Sequence, residues 1–342
     1  MDTLTKLPVL DRVSEQMRAV LATSAELASD AYATDAGLAQ MRQAYAVERR
    51  FWNEGGPAMV RTLDASVRTP HGDVATRWHL PRDGHDLPVV VYLHGGGWVV
   101  GNLDTHDRIM RALAHESGAA VLGVDYALSP EAKFPVAVEQ CAAVVQQLLD
   151  GGPGARPVVA GDSPTTGPGV DSRRIAIAGD SGGANMALAT ALLLRDRAAA
   201  GARPVPLRAL ALYYGLYGLR DSASRRLLGG PWDGLTEADL AYYTECYLAD
   251  PADERSPYVD CLSADLSVGV PPCYLASAEL DPLRDDSAAL AQMLTVRGVP
   301  VEHDVFDGVL HGFLHHSRML DDAVVALRRG GDFLRRAFET TD

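Results

Sequence analysis

One segment constrains this chain more than any other: a short apolar run that ends in Gly-Asp-Ser-Gly-Gly and passes at once into an Ala/Leu-rich stretch. It spans Arg174–Asn185 and reads Arg-Ile-Ala-Ile-Ala-Gly-Asp-Ser-Gly-Gly-Ala-Asn. The β-branched run predicts a strand, and the sequence from Ala184 to Arg195 predicts a helix. A strand that turns sharply into a helix leaves its middle residue, Ser181, on a tight bend with the hydroxyl exposed. Gly179 and Gly183 keep side chains out of that crowded turn. Gly-x-Ser-x-Gly in such a setting is a nucleophile elbow. The pentad recurs by chance in Gly-rich chains, so its weight comes from the strand before it and the helix after it.

The same letters surround the nucleophile of chymotrypsin-like peptidases, all-β proteins whose His and Asp precede the Ser. Here Ser181 lies between a β-branched run and the helical stretch Ala184-Asn-Met-Ala-Leu-Ala-Thr-Ala-Leu-Leu-Leu194, and the candidate Asp and His come after it. The topology excludes the peptidase reading.

Around this segment strand and helix patterns alternate. Strands are expected near 88–94, 119–125, 174–179, 208–214, 272–279 and 300–306, and helices near 105–116, 135–149, 184–199, 285–297 and 318–338. That rhythm predicts an α/β fold, a mostly parallel sheet with helices on both faces. Ahead of it, Ala65–Thr69 and Val74–Leu80 read as a hairpin joined by Pro70-His-Gly-Asp73. Residues 9–29 and 37–53 have helical apolar spacing, with Val13, Met17, Val20 and Leu21 in the first and Leu38, Met41 and Tyr45 in the second. Both carry mixed charges on their polar sides, which suits packing on a core better than lying on a membrane. Residues 1–55 are therefore expected to form N-terminal cap helices on a catalytic domain of residues 56–342. Two stretches break the alternation. Residues 151–170 hold six Gly and four Pro and read as an exposed loop. Residues 216–262 include a capped helix start at Thr236 and read as an insertion that closes a cap over the strand ends.

A net charge of −14 disfavours nucleic acid and anionic membrane as partners. The N-terminus lacks the features of a signal peptide, and no stretch approaches the ~20 apolar residues of a membrane-spanning helix. Cys141, Cys246, Cys261 and Cys273 have neither metal nor redox spacing and read as reduced thiols, which points to the cytoplasm.

Acyl transfer at a serine needs a base, a group that orients the base, and donors for the oxyanion. The expected strand Cys273–Leu280 ends at Asp281, the candidate orienter; Glu279, two residues earlier and still within that strand, is its rival and reads as structural. Asp285 and Asp286 begin a helix, where acidic residues cap and offset the dipole. The next strand leads into Asp307-Gly-Val-Leu-His-Gly-Phe313 and offers His311 on a loop after the strand. His303 lies inside a strand, His315 and His316 fall in or near the next helix, and His94 and His106 precede the nucleophile. His94-Gly95-Gly96-Gly97-Trp98 follows the apolar strand Val89–Leu93. In that place HGGG is an oxyanion motif of lipases and esterases, with Gly95, Gly96, Gly97 and Gly182 as candidate donors and His94 in support. Trp98 is read both as a wall of an acyl pocket and as a core aromatic.

These residues resemble the hormone-sensitive-lipase-like (GDXG) α/β-hydrolase family, marked by HGGG and a GDS[AG]G elbow. Asp125-Tyr-Ala-Leu-Ser-Pro-Glu-Ala-Lys-Phe-Pro135 is similar to its DYRLAPE-x-x-FP signature. Lys6–Asp11, Glu48–Asn53, Gly101–Arg111, Tyr214–Arg226 with Leu227–Gly230, and Trp232–Thr236 resemble the bacterial acetyl esterases of that family, so the similarity runs over nearly the whole chain. The resemblance implies a cytoplasmic, cofactor-free and metal-free carboxylesterase using Ser181, His311 and Asp281 on small neutral short-chain acyl esters. It also implies regulatory contacts with a maltose activator and an α-galactosidase, to which proteins of that type are linked. Two departures stand out: the 151–170 stretch is extra, and Gly182 replaces the usual alanine. An amidase, a thioesterase or a catalytically silent binding protein on the same fold stays open, as does the choice between monomer and homodimer.

Overall fold

The structure is a computed structural model that describes residues 6–27, 34, 37–84, 86–150 and 169–340. All but the last two positions of the Gly/Pro-rich stretch 151–170 lie outside the described residues.

The hairpin strands β1 (Arg61–Thr69) and β2 (Gly72–Leu80) precede β3 (Leu87–Leu93), β4 (Ala120–Asp125), β5 (Val170–Asp180), β6 (Leu207–Tyr213), β7 (Cys273–Ala278) and β8 (Val301–Phe306). They form one 8-stranded sheet in the order β1-β2-β4-β3-β5-β6-β7-β8. β2 runs antiparallel to β1 and β4, and the pairs from β4 to β8 are parallel. Every residue of β3 is buried, as expected of a central parallel strand covered on both faces. Its alternating side chains divide between two cores. Val89, Val91 and Leu93 pack with residues of α5 (Val136–Asp150) and α6 (Gly182–Ala199). Val90 and Tyr92 pack with α4 (Asp107–Ser117) and α10 (Asp321–Glu339). The first two-thirds of α6 has no polar face and is buried almost throughout, which seats the helix after the elbow firmly against the sheet.

The N-terminal segment forms α1 (Val9–Arg12), α2 (Glu15–Leu27) and α3 (Leu38–Asn53). The expected single helix over 9–29 is broken after Arg12. Ser14 N–H donates to Gly308 O at 2.8 Å, and Ser14 Oγ accepts the Met17 N–H at 3.1 Å, starting a new helix. Val9, Val13, Met17 and Val20 join one core, and Met41 and Tyr45 join the other.

The insertion between β6 and β7 holds α7 (Ala223–Leu227) and α8 (Glu237–Tyr247), followed by two 3₁₀ turns. Thr236 and Asp239 form a reciprocal capping box at the start of α8. The root of the insertion is tied to α9 (Arg284–Val296) by residues expected to cap that helix. Asp286 Oδ1 accepts the N–H groups of Tyr217 at 2.8 Å and of Gly218 and Leu219 at 3.1 Å, and its carboxylate pairs with Arg225 at 3.2 Å. Asp285 Oδ2 accepts the Ser224 N–H at 2.8 Å. The capping expectation is corrected here, because both acids turn to a neighbouring segment whose backbone donors would otherwise be buried without acceptors.

Candidate active site

β5 and α6 meet at Ser181 with no residue to spare. Ser181 has φ 54° and ψ −124°, a left-handed setting that costs a non-glycine residue roughly 1–3 kcal/mol. The turn is held in place because Ser181 N–H donates to Tyr213 O at 2.8 Å and Ser181 O accepts the Ala184 N–H at 3.0 Å. A Cβ on Gly179 would lie 2.3 Å from Gly183 O, and one on Gly183 would lie 2.1 Å from Leu93 O. Both flanking glycines are required by space.

Three parallel strands deliver the three candidate catalytic side chains. Ser181 follows β5, Asp281 follows β7 and His311 follows β8. His311 Nδ1 lies 2.7 Å from Asp281 Oδ2, and His311 Nε2 lies 2.8 Å from Ser181 Oγ. An ionised carboxylate only accepts, so the Nδ1–H donates to Asp281 and Nε2 is left to accept the serine O–H. Asp281 is fully buried, and its second oxygen accepts the Leu283 N–H at 2.7 Å. Burial alone would push the His311 pKa down; the Asp281 carboxylate outweighs it, with Asp233 and Asp180 adding, and holds the imidazole above its ordinary 6.5.

Glu279 stands apart from this group. β7 ends at Ala278, so Glu279 lies beyond the strand and not within it as expected. It pairs with Arg12 and accepts the Gly308 N–H at 2.8 Å, tying α1 to the loop that precedes His311.

The glycine loop after β3 faces the elbow, with one correction to the expected donors. The Gly95 N–H donates to Asp180 Oδ1 at 2.9 Å, so it is committed to holding the loop and not free for an oxyanion. Gly96 and Gly97 have φ 117° and 56°, and among the described residues neither N–H finds an acceptor. A Cβ on Gly96 would lie 2.2 Å from Val100 O, and one on Gly97 would lie 2.6 Å from the Tyr243 ring. Gly182 is adjacent, since its notional Cβ would lie 3.4 Å from Gly97 N and Cα. That is an ordinary contact, so the glycine in place of the usual alanine is not demanded by space.

His94 supports the loop from behind. It is buried, stacks on Tyr126 at 4.3 Å, and its Nδ1 lies 2.9 Å from Gly95 O; burial first, and then His106, push its pKa down to about 3. A neutral ring with Nδ1–H donating to that carbonyl satisfies both groups. Trp98 is pocket wall and core aromatic at once. It lines the cleft over Ser181, stacks on Tyr247 of α8 at 4.2 Å and 8°, and adopts φ 64°. Met17 and Val20 of α2, Tyr45 of α3 and Tyr243 of α8 line the same cleft.

Sequence reasoning passed over Asp180. It is 2% exposed and accepts the Tyr92 O–H at 2.6 Å as well as the Gly95 N–H, while Tyr214 O–H approaches its other oxygen at 3.4 Å. Burial opposes its charge, yet His106, Tyr92 and the Gly95 N–H together hold its pKa below the ordinary carboxylate value. The signal available in the sequence was a lone charge ending an apolar strand, which must be satisfied if buried. His106, Asp180 and His315 bring three potential ligand atoms within 4.8 Å of one another, the one such group among the described residues. The Arg49 guanidinium acts on His315 electrostatically and opposes a cation there, while Asp180 is already engaged by Tyr92 and Gly95.

With this geometry in view, the similarity to known proteins has structural content. A family profile described as the alpha/beta hydrolase fold matches residues 90–315. A hyperthermophilic esterase from the archaeon Pyrobaculum calidifontis superposes with a TM-score of 0.84 at 33% identity, over 95% of this chain and 98% of that one. A thermostable carboxylesterase cloned from a metagenomic library gives a TM-score of 0.79 at 28% identity, over 89% and 99% of the two chains. A thermostable esterase from Pseudomonas putida gives 0.82 at 25% identity, over 98% and 100%. From the sheet order, the elbow and this similarity, the chain belongs to the α/β-hydrolase family, in the hormone-sensitive-lipase-like branch that its HGGG and GDSGG motifs resemble.

Proposed function

We propose that this protein is a serine carboxylesterase acting on short acyl esters, acetyl esters foremost. The observation that carries the reading is the aligned chain from Asp281 through His311 to Ser181 Oγ, at 2.7 and 2.8 Å, beside glycine amides that find no acceptor among the described residues. His311 takes the Ser181 proton as Oγ attacks the ester carbonyl, and Asp281 holds the imidazole and stabilises the imidazolium that forms. The carbonyl oxygen becomes an oxyanion facing the N–H groups of Gly96, Gly97 and Gly182. His311 then returns the proton to the departing alcohol, leaving an acyl-Ser181. Water activated by the same imidazole cleaves that ester and regenerates the enzyme. These steps call on protein groups alone, so EDTA is expected to leave the rate unchanged.

The short-acyl reading rests on the cap. We assign the described residues of 1–55, together with 216–262, to it, because α2, α3 and α8 contribute side chains to the cleft. Tyr243 closes over Gly97, and Trp98, backed by its stack on Tyr247, walls the cleft. Each methylene gains ~0.8 kcal/mol while there is room and clashes afterwards. A cytoplasmic setting suits four cysteines of which none is paired. Among the described residues no helix is long and apolar enough to cross a membrane.

The test is a hydrolysis series from 4-nitrophenyl acetate to dodecanoate, with matched anilides and thioesters. Highest kcat/KM at acetyl to hexanoyl esters, abolished in Ser181→Ala, is the expected result. Faster cleavage of the anilide or thioester would reassign the leaving group, and wild-type rates in Ser181→Ala would end the reading.

A further inference from the structure

Asp233 lies in the loop between α7 and α8 and is 8% exposed. Its Oδ1 closes the loop by accepting the N–H groups of Gly230 and Leu235, each at 3.1 Å. Its Oδ2 is buried and has no donor among the described residues. The residue also lines the cleft with Ser181 and His311. Loop closure therefore accounts for one oxygen, and the mechanism above uses neither. A buried polar atom without a partner is costly unless something else supplies one.

The surroundings select the partner. The charged and titratable groups acting on Asp233 are Asp281 and His311; burial first, and Asp281 after it, push the carboxyl up to about 7 against the pull of His311 and the two loop N–H groups. Near neutral pH both protonation states are populated. A hydroxyl fits both, since it donates to a carboxylate and exchanges donor and acceptor roles with a neutral acid. An ammonium fits only the ionised form, and a substrate carboxylate is repelled by Asp180 and Asp281. The course of the reaction assigns the hydroxyl to the alcohol side of a cleft that Asp233 and His311 both line. The departing alcohol oxygen must receive its proton from His311 Nε2, so that half of the ester lies beside His311, the residue to which Asp233 is electrostatically coupled.

We propose that Asp233 accepts a hydroxyl borne by the alcohol part of the ester, which makes partially acylated diols and polyols the substrate class of this site. The proposal rests on the carboxylesterase reading. It is tested by comparing kcat/KM for 2-hydroxyethyl acetate with that for propyl acetate, a pair differing by hydroxyl for methyl, in wild type, Asp233→Leu and Asp233→Asn. The wild type should prefer the hydroxyl ester tenfold or more, because a polar site rejects an analogue that leaves it unpaired. The preference should rise with pH through about 7, vanish in Asp233→Leu, and shrink and lose its pH dependence in Asp233→Asn, which keeps the Oδ1 loop closure if the leucine variant does not fold. A wild-type ratio near one, a ratio unchanged in both variants, or faster cleavage of 2-(dimethylamino)ethyl acetate would overturn the assignment. No wild-type turnover of either acetate would instead fall on the carboxylesterase reading and take the proposal with it.

Discussion

Replacing Asp180 separates the positioning of the glycine loop from the chemistry it serves. Asp180 Oδ1 receives both the Tyr92 O–H at 2.6 Å and the Gly95 N–H at 2.9 Å. Asparagine retains one accepting oxygen in the same place but removes the charge. Hydrogen bonds to a charged group contribute ~1.5–3 kcal/mol and neutral ones ~0.5–1.5, so Asp180→Asn should lose roughly 2–3 kcal/mol over the two. The sign agrees with the depressed pKa of Asp180: the folded state favours the carboxylate. That contribution is present above the unfolded carboxylate pKa and is lost as pH falls through the folded one. Alanine leaves both donors buried without an acceptor, at ~1–3 kcal/mol each, and frees the loop as well. Loss of one oxyanion donor lowers kcat by ~10²–10³. Asp180→Ala should therefore lose about 10²-fold in kcat with little change in KM, because the donors act on the transition state, while Asp180→Asn stays within tenfold. Urea unfolding and kcat on 4-nitrophenyl acetate measure the two effects. A destabilised Asp180→Ala that keeps kcat within threefold would refute the view that this carboxylate holds the loop.

Asp281→Asn should lower kcat by ~10⁴, the cost known for a wrongly held imidazole, whereas Glu279→Gln should affect stability alone; the reverse pattern in kcat would exchange their roles. Because Asp281, Asp233 and Asp180 hold the His311 pKa above 6.5, kcat/KM should rise with pH through an apparent pKa above that value, and Asp233→Asn should move the limb to lower pH. The same raised pKa stabilises the fold fully below the unfolded histidine value, and that contribution fades as pH rises through the folded one. Trp98→Ala removes the stack on Tyr247 and should cost ~3–5 kcal/mol while moving the acyl optimum to longer chains; an unchanged optimum in a folded variant would leave Trp98 a core residue only. Gly182→Ala meets ordinary contacts and should keep kcat within a few-fold while gaining ~0.4–1 kcal/mol in thermal unfolding.

What could be read in the sequence and what could not follow from range. The strands β3 to β8 and their helices were legible because each carries its own pattern, an apolar run or a 3.6-residue period, within a few residues of itself. The elbow was legible because Gly179 and Gly183 are local consequences of a local turn. Ser181, Asp281 and His311 could be placed from chain order. The break after Arg12 was not visible, because it depends on Ser14 reaching Gly308. The commitment of Gly95 depends on Asp180, and the turn of Asp286 away from its own helix depends on Tyr217, Gly218 and Leu219. In the first case a backbone N–H reached a distant carbonyl, and in the other two a carboxylate took a distant donor over a near one; no window along the chain holds both partners.

The fastening of the insertion to α9 has a consequence for anyone reshaping this protein. Asp285 and Asp286 clasp residues 217–225, and they follow Asp281 by only a few positions on the same length of backbone. On the proposed reading, the roof of the chamber and the part that aims the imidazole thus share one mount. Edits at the mount intended to widen the chamber will also disturb the aim, moving kcat and KM together. Edits at mid-span, at Leu240 and Tyr243, touch the chamber without reaching the mount. A library meant to broaden substrate range is best aimed at that span.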